Sequence, residues 1–313
     1  MSRSALRETP RVSILCSIRN AADVLAPTLD SILAQTLRDW ELLIVDDGCT
    51  DGSAELAQQY ATRDPRLRVI STKGIGRARA LNLALRAARA EWVANIDADD
   101  PSHPRRIELL LDASRREPDY AVIGTDHIVL LDADTPCWSD DLPDVPPAVV
   151  ETTALLRRGN PINHSSVLMR RRDLLEVGGY EEGRKRQIDY DLFVRLAIGG
   201  FRIGTLPLPL SSRRLHAKQS FEARDRLRYL ASSVSVQMRA IRSLPGSRWH
   251  AVLIPIRFGY GLLPRRLRTR INRRRRARRF TTRPASAQPR DPPIGSPGCA
   301  GQRSQPPGRI PGN

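Results

Sequence analysis

Short apolar runs alternate with helical segments through the first third of the chain, and this alternation constrains the fold more than any other feature. The apolar runs are short and rich in β-branched residues, which predicts strands at 11–18, 40–45, 67–70 and 92–96. Helical spacing of apolar residues predicts helices at 23–34, 54–61 and 77–90. Strands joined through helices by short connections favour an α/β fold with a doubly wound, mostly parallel sheet and helices on both faces.

Polar or acidic side chains follow three of these four strands. They are Arg19-Asn20, Asp46-Asp47, and Asp97 with Asp99. Ligands of doubly wound sheets bind outside the carboxyl ends of the strands. Burying several acids at one sheet edge is costly without a ligand. We therefore expect a binding site at this edge.

The fourth strand runs directly into three acids in four residues, Asp97, Asp99 and Asp100, and Pro101 and Pro104 prevent its continuation. The three carboxylates repel one another unless a cation lies among them. Closely spaced carboxylate oxygens suit a hard ion such as Mg²⁺ or Mn²⁺. A solvated acidic turn is the alternative, because acidic turns are common.

A glycine loop, Gly74-Ile75-Gly76, precedes the third helix and has the start of a dinucleotide-binding fingerprint. The loop follows the third strand rather than the first, and Arg79 stands where the third glycine belongs, which disfavours that function. Its backbone N–H groups still suit a phosphate, with Arg77 or Arg79 adding charge. For either arginine the alternative is a solvated helix face.

The second half of the chain continues with predicted strands and helices and a second polar region after residue 159. Strands are predicted at 120–124, 127–131, 167–170 and 201–210, the last near a sheet edge because it contains prolines, and helices at 105–114 and 173–177. Asp189 and Asp191 open an amphipathic helix predicted at 187–196. Acids in a first turn also complement the helix dipole, so their role stays open on helix physics alone.

Several segments together resemble glycosyltransferase family 2, the inverting, metal-dependent nucleotide-sugar glycosyltransferases of the GT-A fold. The most specific are VDDGCTDGS at 45–53, where Cys49 replaces a serine of the family pattern, and DADD at 97–100. The others, in order, are 12–20, 76–82, 160–167, 178–180, 189–192 and 214–216. The resemblance covers about residues 10–221 and implies the GT-A fold.

The resemblance implies roles for individual side chains toward the donor and a metal. The donor-binding residues would be Ser17, Arg19, Asp46, Asp47, Gly76, Arg79, Asn82 and Asp97. Mn²⁺ or Mg²⁺ would be held by Asp97, Asp99 and His216. The metal would neutralise charge on the leaving nucleoside diphosphate. For His216, a hydrogen-bonded structural role is the alternative.

The resemblance also implies roles toward the acceptor, a saccharide or a lipid-linked sugar. Asp189 would be the general base that removes the proton from the acceptor hydroxyl. The acceptor-binding residues would be His164, Gly179, Tyr180 and Asp191, with Asp191 alternatively orienting its helix. Ile188 stands where the family usually has glutamate. A non-catalytic relative that binds a nucleotide-sugar or a membrane is therefore the second functional hypothesis.

The C-terminal part carries most of the excess positive charge of the chain, whose formal net charge is +17. We predict an N-terminal extension at 1–10 and a catalytic domain at 11–221, with a nucleotide-sugar half at 11–131 and an acceptor half at 132–221. A helical, apolar and Arg-rich membrane-surface segment is predicted at 222–280, and a disordered tail rich in Pro, Gly and Ser at 281–313.

The Arg-rich run beside an apolar patch favours an anionic membrane surface as the partner. Nucleic acid is disfavoured because no aromatic residues interleave the arginines, and a solvated charge run is the alternative. Four scattered cysteines fit a reducing compartment. We found no signal peptide pattern and no run of about 18 apolar residues. The expected location is cytoplasmic, peripheral on the inner face of the cell membrane.

Overall fold

The computed structural model describes residues 9–131, 134–215, 226–246, 248–252, 254–255 and 258–259. Of these, residues 9–136 and 143–259 belong to one compact unit. Residues 137–142 belong to a second unit and have no regular secondary structure; within them the Asp141 N–H donates to Ser139 Oγ over 3.3 Å.

Eight strands form one sheet. They are β1 (Val12–Ile18), β2 (Trp40–Asp47), β3 (Leu67–Thr72), β4 (Trp92–Asn95), β5 (Tyr120–Leu131), β6 (Val150–Glu151), β7 (Leu168–Arg170) and β8 (Arg202–Leu215). The order across the sheet is β3-β2-β1-β4-β7-β5-β8-β6. β7 and β6 run antiparallel to their neighbours, and the other strands run parallel, which confirms the mostly parallel α/β class.

Seven α-helices accompany the sheet in the described residues. They are α1 (Ala22–Leu33), α2 (Ser53–Arg63), α3 (Arg77–Ala87), α4 (Arg106–Arg116), α5 (Arg171–Glu176), α6 (Ile188–Ile198) and α7 (Arg226–Ser243). Short 3-10 helices at Thr153–Arg158, His164–Ser166 and Arg248–Val252 were not predicted from the sequence. None of the helices in the described ranges is long and apolar enough to cross a membrane.

The direction of strand addition reverses at β1. β2 and β3 follow on one side of β1, whereas β4 lies on the other side. Right-handed crossovers therefore put α1 and α2 on one face and α3 on the other. A reversal of this kind leaves a crevice at the carboxyl ends of the strands, here between β1 and β4, where such folds bind ligands.

β5 is a single strand, whereas the sequence predicts two strands at 120–124 and 127–131. Its pairing with β8 continues across residues 125–126 through register shifts on both sides of Asp126. The register there jumps from Leu206 to Pro209, because the prolines of β8 lack an N–H for the ladder. Among the described residues, β6 pairs only with Gly204 and Thr205 of β8. Pro207 and Pro209 therefore do not pair with β6.

Several predicted residues and segments lie outside the described residues. They are His216, residues 1–8, about half of 222–280, and the whole of 281–313. Of the predicted C-terminal helix at 221–243, the structure describes α7 from Arg226 to Ser243. The role of the Arg-rich run stays a prediction.

Candidate active site

A cleft of about 810 Å³ opens at the carboxyl ends of β1, β2 and β4. Its walls come from the ends of β1 and β2, the loop after β1, the starts of α1 and α3, the turn after β4 and one residue of β8. The lining residues are Ser17, Ile18, Arg19, Asn20, Ala21, Asp23, Val24, Asp47, Gly76, Arg77, Asp97, Ala98, Asp99 and Arg214. The cleft therefore lies at the sheet edge at which the strand ends predict a binding site.

The acidic turn after β4 divides its carboxylates between the cleft and the interior. Asp97 and Asp99 line the cleft. Asp100 is 5% exposed, and its two oxygens accept hydrogen bonds from Ser165 Oγ at 2.6 Å and from the backbone N–H of Arg214 at 2.8 Å. Burial, then Asp99 and Asp97, raise the pKa of Asp100 to about 8. Asp100 thus ties the turn to β8 and to the 164–166 helix.

Asp97 is paired with a cation of the protein itself. Arg77 Nη2 forms an ion pair with Asp97 Oδ1, and Asn95 Nδ2 donates to the same oxygen over 3.2 Å. Burial alone would raise the pKa of Asp97, but Arg77, followed by His164, outweighs it and holds that pKa below its usual value. The pairing in turn raises the pKa of Arg77, so both side chains are charged at neutral pH.

His164 is buried behind Asp97. Its Nδ1 lies 3.0 Å from Asn95 Nδ2, and its Nε2 lies 2.9 Å from the hydroxyl of Tyr180. Burial lowers the pKa of His164, so the ring is neutral at neutral pH. Because the Asn95 amide donates to Nδ1, the proton belongs on Nε2, which donates to Tyr180. Burial also raises the pKa of Tyr180, which keeps its hydroxyl protonated.

Arg106 lies fully buried beneath the acidic turn. Its Nη2 donates to the backbone oxygen of Asn95 over 2.7 Å, whereas its Nε and Nη1 have no hydrogen-bond partner among the described residues. Burial lowers the pKa of Arg106 to about 10, and Asp100 and Asp97 oppose that change. This guanidinium thus adds positive charge below the turn that carries the cleft acids.

The carboxylate of Asp47 anchors the glycine loop. It accepts hydrogen bonds from the N–H of Ile75 at 2.6 Å, the N–H of Gly76 at 3.0 Å and Thr72 Oγ1 at 3.0 Å. The loop passes so close to Gly48, at φ +76°, that a Cβ there would lie 2.9 Å from the backbone N of Gly74. Asp47 thus shapes the loop that forms part of the cleft wall.

At the carboxyl ends of β1 and β2, Arg19 lines the cleft whereas Asp46 does not. Asp46 is 7% exposed, accepts a hydrogen bond from the N–H of Cys49 at 2.8 Å, and is not among the residues that line the cleft. Arg19 lines the cleft together with Ser17, and its Nη1 donates to the backbone oxygen of Asp47 over 3.2 Å. The guanidinium of Arg19 is therefore held at the rim next to the glycine loop.

The side chains of Arg77 and Arg79 on α3 lie in different places. Arg77 lines the cleft, whereas Arg79 pairs with Glu182 over 3.3 Å and lies outside the lining. Asn82, the sixth residue of the helix, is 4% exposed. Its side chain donates to the backbone oxygen of Tyr180 and accepts from the N–H of Tyr180, each over 2.8 Å. In this structure Asn82 therefore clamps the loop that carries Tyr180.

Gly179, just before Tyr180, has φ +68°, and a Cβ there would come within 2.5 Å of Asn82 Oδ1. Glycine at this position is what allows the loop to reach the Asn82 amide. The predicted acceptor residues Gly179, Tyr180 and His164 thus lie together, but behind the cleft wall rather than in its lining.

Asp189 lies in the first turn of α6. Its Oδ2 accepts a hydrogen bond from Asn160 Nδ2 over 2.7 Å. After Asp97, its charge contributes to raising the pKa of Arg77, and after burial, to raising the pKa of Tyr180. Ile188 beside it is 6% exposed and belongs to the hydrophobic core. The apolar residue at that position thus serves packing.

Asp191 is fully buried and surrounded by arginines. Its carboxylate contacts Arg195 at 2.8 Å, Arg239 at 2.9 Å and Arg184 at 3.4 Å. Arg195 belongs to α6, Arg239 to α7, and Arg184 to the segment before α6. Asp191 therefore fixes α6 against α7, and its side chain has no solvent-facing surface for an acceptor in this structure.

The sequence motifs predict no role for Arg214, although the segment 214–216 belongs to the family resemblance. The side chain lines the cleft, its Nε donates to the backbone oxygen of Asp99 over 3.2 Å, and its Nη1 donates to that of Asp134 over 3.0 Å. Asn20 and Asp23 also line the cleft without a prior assignment. The signal for Asn20 was present, since it follows β1 directly.

The described residues contain no group of three His, Cys, Asp or Glu side chains placed to hold a metal ion. His216, the third predicted ligand, lies outside the described ranges. Asp97 and Asp99 give two carboxylates on one cleft wall. That donor set suits Mg²⁺ or Mn²⁺, which takes one or two protein carboxylates and fills its remaining positions with phosphate and water oxygens.

The chain matches the family model described as "Glycosyl transferase family 2" over residues 13–179. It is 34% identical over 197 residues to EpsE of Bacillus subtilis (strain 168), which is named as a glycosyltransferase; the match covers 62% of this chain and 69% of EpsE. It is 30% identical over 220 residues to the O-antigen biosynthesis protein RfbC of Myxococcus xanthus, covering 67% of this chain but only 16% of RfbC.

Two groups of solved structures share the fold. TarS of S. aureus in complex with UDP-GlcNAc has a TM-score of 0.59 at 16% identity, covering 80% of this chain and 72% of that one. The mannosyltransferase PcManGT of Pyrobaculum calidifontis, in complex with GDP-Man and Mn²⁺, has a TM-score of 0.58 at 21% identity, covering 81% and 72%. At these identities the likeness concerns the fold alone.

Proposed function

Because this chain belongs to glycosyltransferase family 2, we propose that it moves a sugar from a nucleoside-diphosphate donor to a hydroxyl of a saccharide or lipid-linked acceptor, with inversion at the anomeric carbon and with a divalent metal. The observation that carries the proposal is the cleft at the carboxyl ends of β1 and β4. Asp97 and Asp99 line it beside Arg77 and the glycine loop. A site with paired acids, fixed guanidinium groups and backbone N–H donors suits a metal-bound diphosphate.

The donor would lie with its diphosphate between the acidic turn and the start of α3. Arg77 and Arg19 supply guanidinium groups to the phosphate oxygens, since both line the cleft. Ser17 and the backbone of Gly76 also face this space. Asp46 and Asp47 would contact the nucleoside; Asp47 in addition keeps the glycine loop in place through its three hydrogen bonds.

Asp97 and Asp99 would hold the divalent metal, Mn²⁺ or Mg²⁺. When bound, the metal supplies Lewis-acid stabilisation of the leaving nucleoside diphosphate. Arg77 pairs with Asp97, so its guanidinium would lie beside the diphosphate of a donor bound in the cleft.

Asp189 would act as the general base. It accepts the proton of the acceptor hydroxyl while that oxygen attacks the anomeric carbon opposite the leaving group. One bond forms and one breaks in a single step, so the configuration inverts and the nucleoside diphosphate leaves with the bonding electron pair. The Asn160 amide on Asp189 Oδ2 leaves Oδ1 for the acceptor proton.

We propose a polysaccharide or its lipid-linked precursor as the acceptor, because relatives named hyaluronan synthase and O-antigen biosynthesis protein match this chain. His164, Gly179 and Tyr180 would shape the acceptor side from behind Asp97. A peripheral position on the inner face of the cell membrane accords with a lipid-linked acceptor.

A non-catalytic relative that binds a nucleotide-sugar is the second hypothesis, and Ile188 motivates it. Ile188 is buried in the hydrophobic core, where an apolar side chain takes the place of the glutamate of the family pattern.

The test is a screen of UDP- and GDP-sugars for thermal stabilisation with Mn²⁺, followed by a donor hydrolysis assay. Stabilisation together with release of nucleoside diphosphate supports the enzyme. Stabilisation with no release, also in the presence of acceptor saccharides, supports the non-catalytic relative. No stabilisation by any donor contradicts both.

A further inference from the structure

We propose that a basic pocket before the N-terminal end of α6 binds a phosphate or diphosphate group of the acceptor. The inference rests on the proposed glycosyltransferase function and names the chemistry of its second substrate. The pocket measures about 510 Å³ and is lined by Arg184, Lys185, Arg186 and Arg239, with Glu181 as the one carboxylate in its lining.

The guanidinium groups of this pocket are held in place before any ligand arrives. Asp191, fully buried, pairs with Arg239 at 2.9 Å and with Arg184 at 3.4 Å. Arg184 Nη1 also donates to Ser232 Oγ over 3.0 Å, and its side chain is only 16% exposed. An anion that binds here loses little free energy to ordering these side chains.

The local charge is strongly positive. Arg195 shares the Asp191 carboxylate with Arg184 and Arg239, so one buried negative charge faces three guanidinium groups. Lys185 and Arg186 add to this excess at the pocket surface. An excess of several charges, presented largely by planar guanidinium forks, matches a phosphate or diphosphate better than a single carboxylate.

The pocket lies on the acceptor side of the molecule. It shares no lining residue with the donor cleft. Its segment 183–186 leads directly into α6, which carries the proposed base Asp189 in its first turn. A phosphate-bearing acceptor held there is anchored on the same segment that presents the base.

The test uses the full chain and inorganic pyrophosphate, with hydrogen exchange as a site-resolved readout. Pyrophosphate should slow exchange in peptides that cover 181–189 and 226–239. Lys185→Glu reverses an exposed charge. In this variant the same protection should need a pyrophosphate concentration about tenfold higher or more. Arg63→Glu, an equal charge change at the exposed end of α2, is the matched control and should leave the protection unchanged.

No protection at 181–189 in the wild type, or equal protection in wild type and Lys185→Glu, overturns the proposal. Equal loss in Arg63→Glu also overturns it, because the attraction would then belong to the whole basic chain. Farnesyl diphosphate in a parallel arm identifies the source of the phosphate. Tighter binding than pyrophosphate indicates a lipid-linked acceptor, and equal binding indicates a pocket that recognises the phosphate alone.

The donor is tested separately, by the protection that UDP with Mn²⁺ gives to peptides covering 73–79 and 95–100. If the proposed function fails, this protection is absent while the Lys185-dependent protection remains. If the basic pocket fails, the donor protection is present without protection at 181–189.

Discussion

The Asn160 side-chain amide donates a hydrogen bond of 2.7 Å to one carboxylate oxygen of Asp189, at the start of α6. This contact fixes the carboxylate and leaves its second oxygen for a substrate proton. Asp189→Asn keeps the shape but removes the base, so we expect transfer to fall by about 10²–10⁴-fold. Donor binding, measured by calorimetry, should be unchanged. Full transfer activity in this variant would reject the assignment of the base.

Asn160→Ala is the companion variant, because it removes the orienting hydrogen bond and keeps the base. We expect a smaller loss in kcat than in Asp189→Asn, with an unchanged KM for the donor. A large rise in the donor KM instead would mean that Asn160 serves the donor cleft.

Arg77 and Arg79 lie two residues apart on α3, but only Arg77 lines the cleft. If Arg77 binds the diphosphate, Arg77→Ala should weaken nucleoside-diphosphate binding by about 10- to 100-fold, the value of a charge-assisted hydrogen bond. Arg79→Ala should have little effect, because that side chain pairs with Glu182 outside the cleft. Calorimetry with UDP and GDP measures both. A larger loss of binding in Arg79→Ala than in Arg77→Ala would mean that Arg79, rather than Arg77, binds the donor.

The metal proposal predicts that Mn²⁺ tightens donor binding in the wild type. Asp99→Ala should lose this effect, because one of the two cleft carboxylates is gone. Asp112→Ala, at a partly exposed aspartate on α4 paired with Arg115, is the matched control and should respond to Mn²⁺ like the wild type. Titrations with and without Mn²⁺ decide. An Asp99→Ala protein that keeps the Mn²⁺ response would exclude Asp99 as a ligand.

The strands and helices before residue 100 were predicted to within a few residues, because their signals are local. Alternating strand and helix periodicities also indicated the mostly parallel sheet. The insertion of β7 between β4 and β5 was beyond such reasoning, since Leu168–Arg170 pairs antiparallel with two strands distant in sequence. Pairing of this kind depends on tertiary packing rather than on the pattern of a segment.

The candidate site was predicted as a set of strand ends, and the cleft lies there. The resemblance assigned Asp97 and Asp99 to the metal and gave Asp100 no role, and Asp97 and Asp99 line the cleft. Sequence could not show that Asp100 turns inward to Ser165. Nor could it show that Asn82 clamps the backbone of Tyr180, because the two are far apart along the chain. The direction of each side chain depends on contacts that no local motif contains.

His164 links Asn95 to Tyr180 as a neutral, buried ring, and burial lowers its pKa. A depressed pKa means that the folded state resists protonation, so the stability it contributes is present above the unfolded pKa of about 6.5. That stability is lost as pH falls through the lower pKa of the folded protein. We expect the Tm of the wild type to fall more steeply between pH 7 and pH 5 than that of His164→Gln. Parallel pH profiles would show that the ring does not titrate.

Glu41 is a buried acid whose contacts predict an effect on stability. It lies at the end of β2 that is distant from the cleft. Its carboxylate accepts hydrogen bonds from Ser13 Oγ at 2.7 Å and from the backbone N–H and Nε of Arg89 at 2.9 Å each. Burial opposes ionisation, but these contacts outweigh it and lower the pKa of Glu41.

Glu41→Ala should therefore lower the free energy of unfolding by about 2–4 kcal/mol, because the buried hydroxyl of Ser13 and the N–H of Arg89, just after α3, lose their acceptor. Since the folded pKa is depressed, the contribution is present above the unfolded pKa of about 4.3 and is lost as pH falls below it. Urea unfolding at pH 7 and pH 4 measures both effects, and the difference between wild type and variant should shrink at pH 4. Glu91→Ala, an exposed acid near the same strand ends, should change the free energy by less than about 0.5 kcal/mol. An equal loss in both variants would mean that overall charge, rather than the Ser13–Glu41–Arg89 contacts, sets the stability.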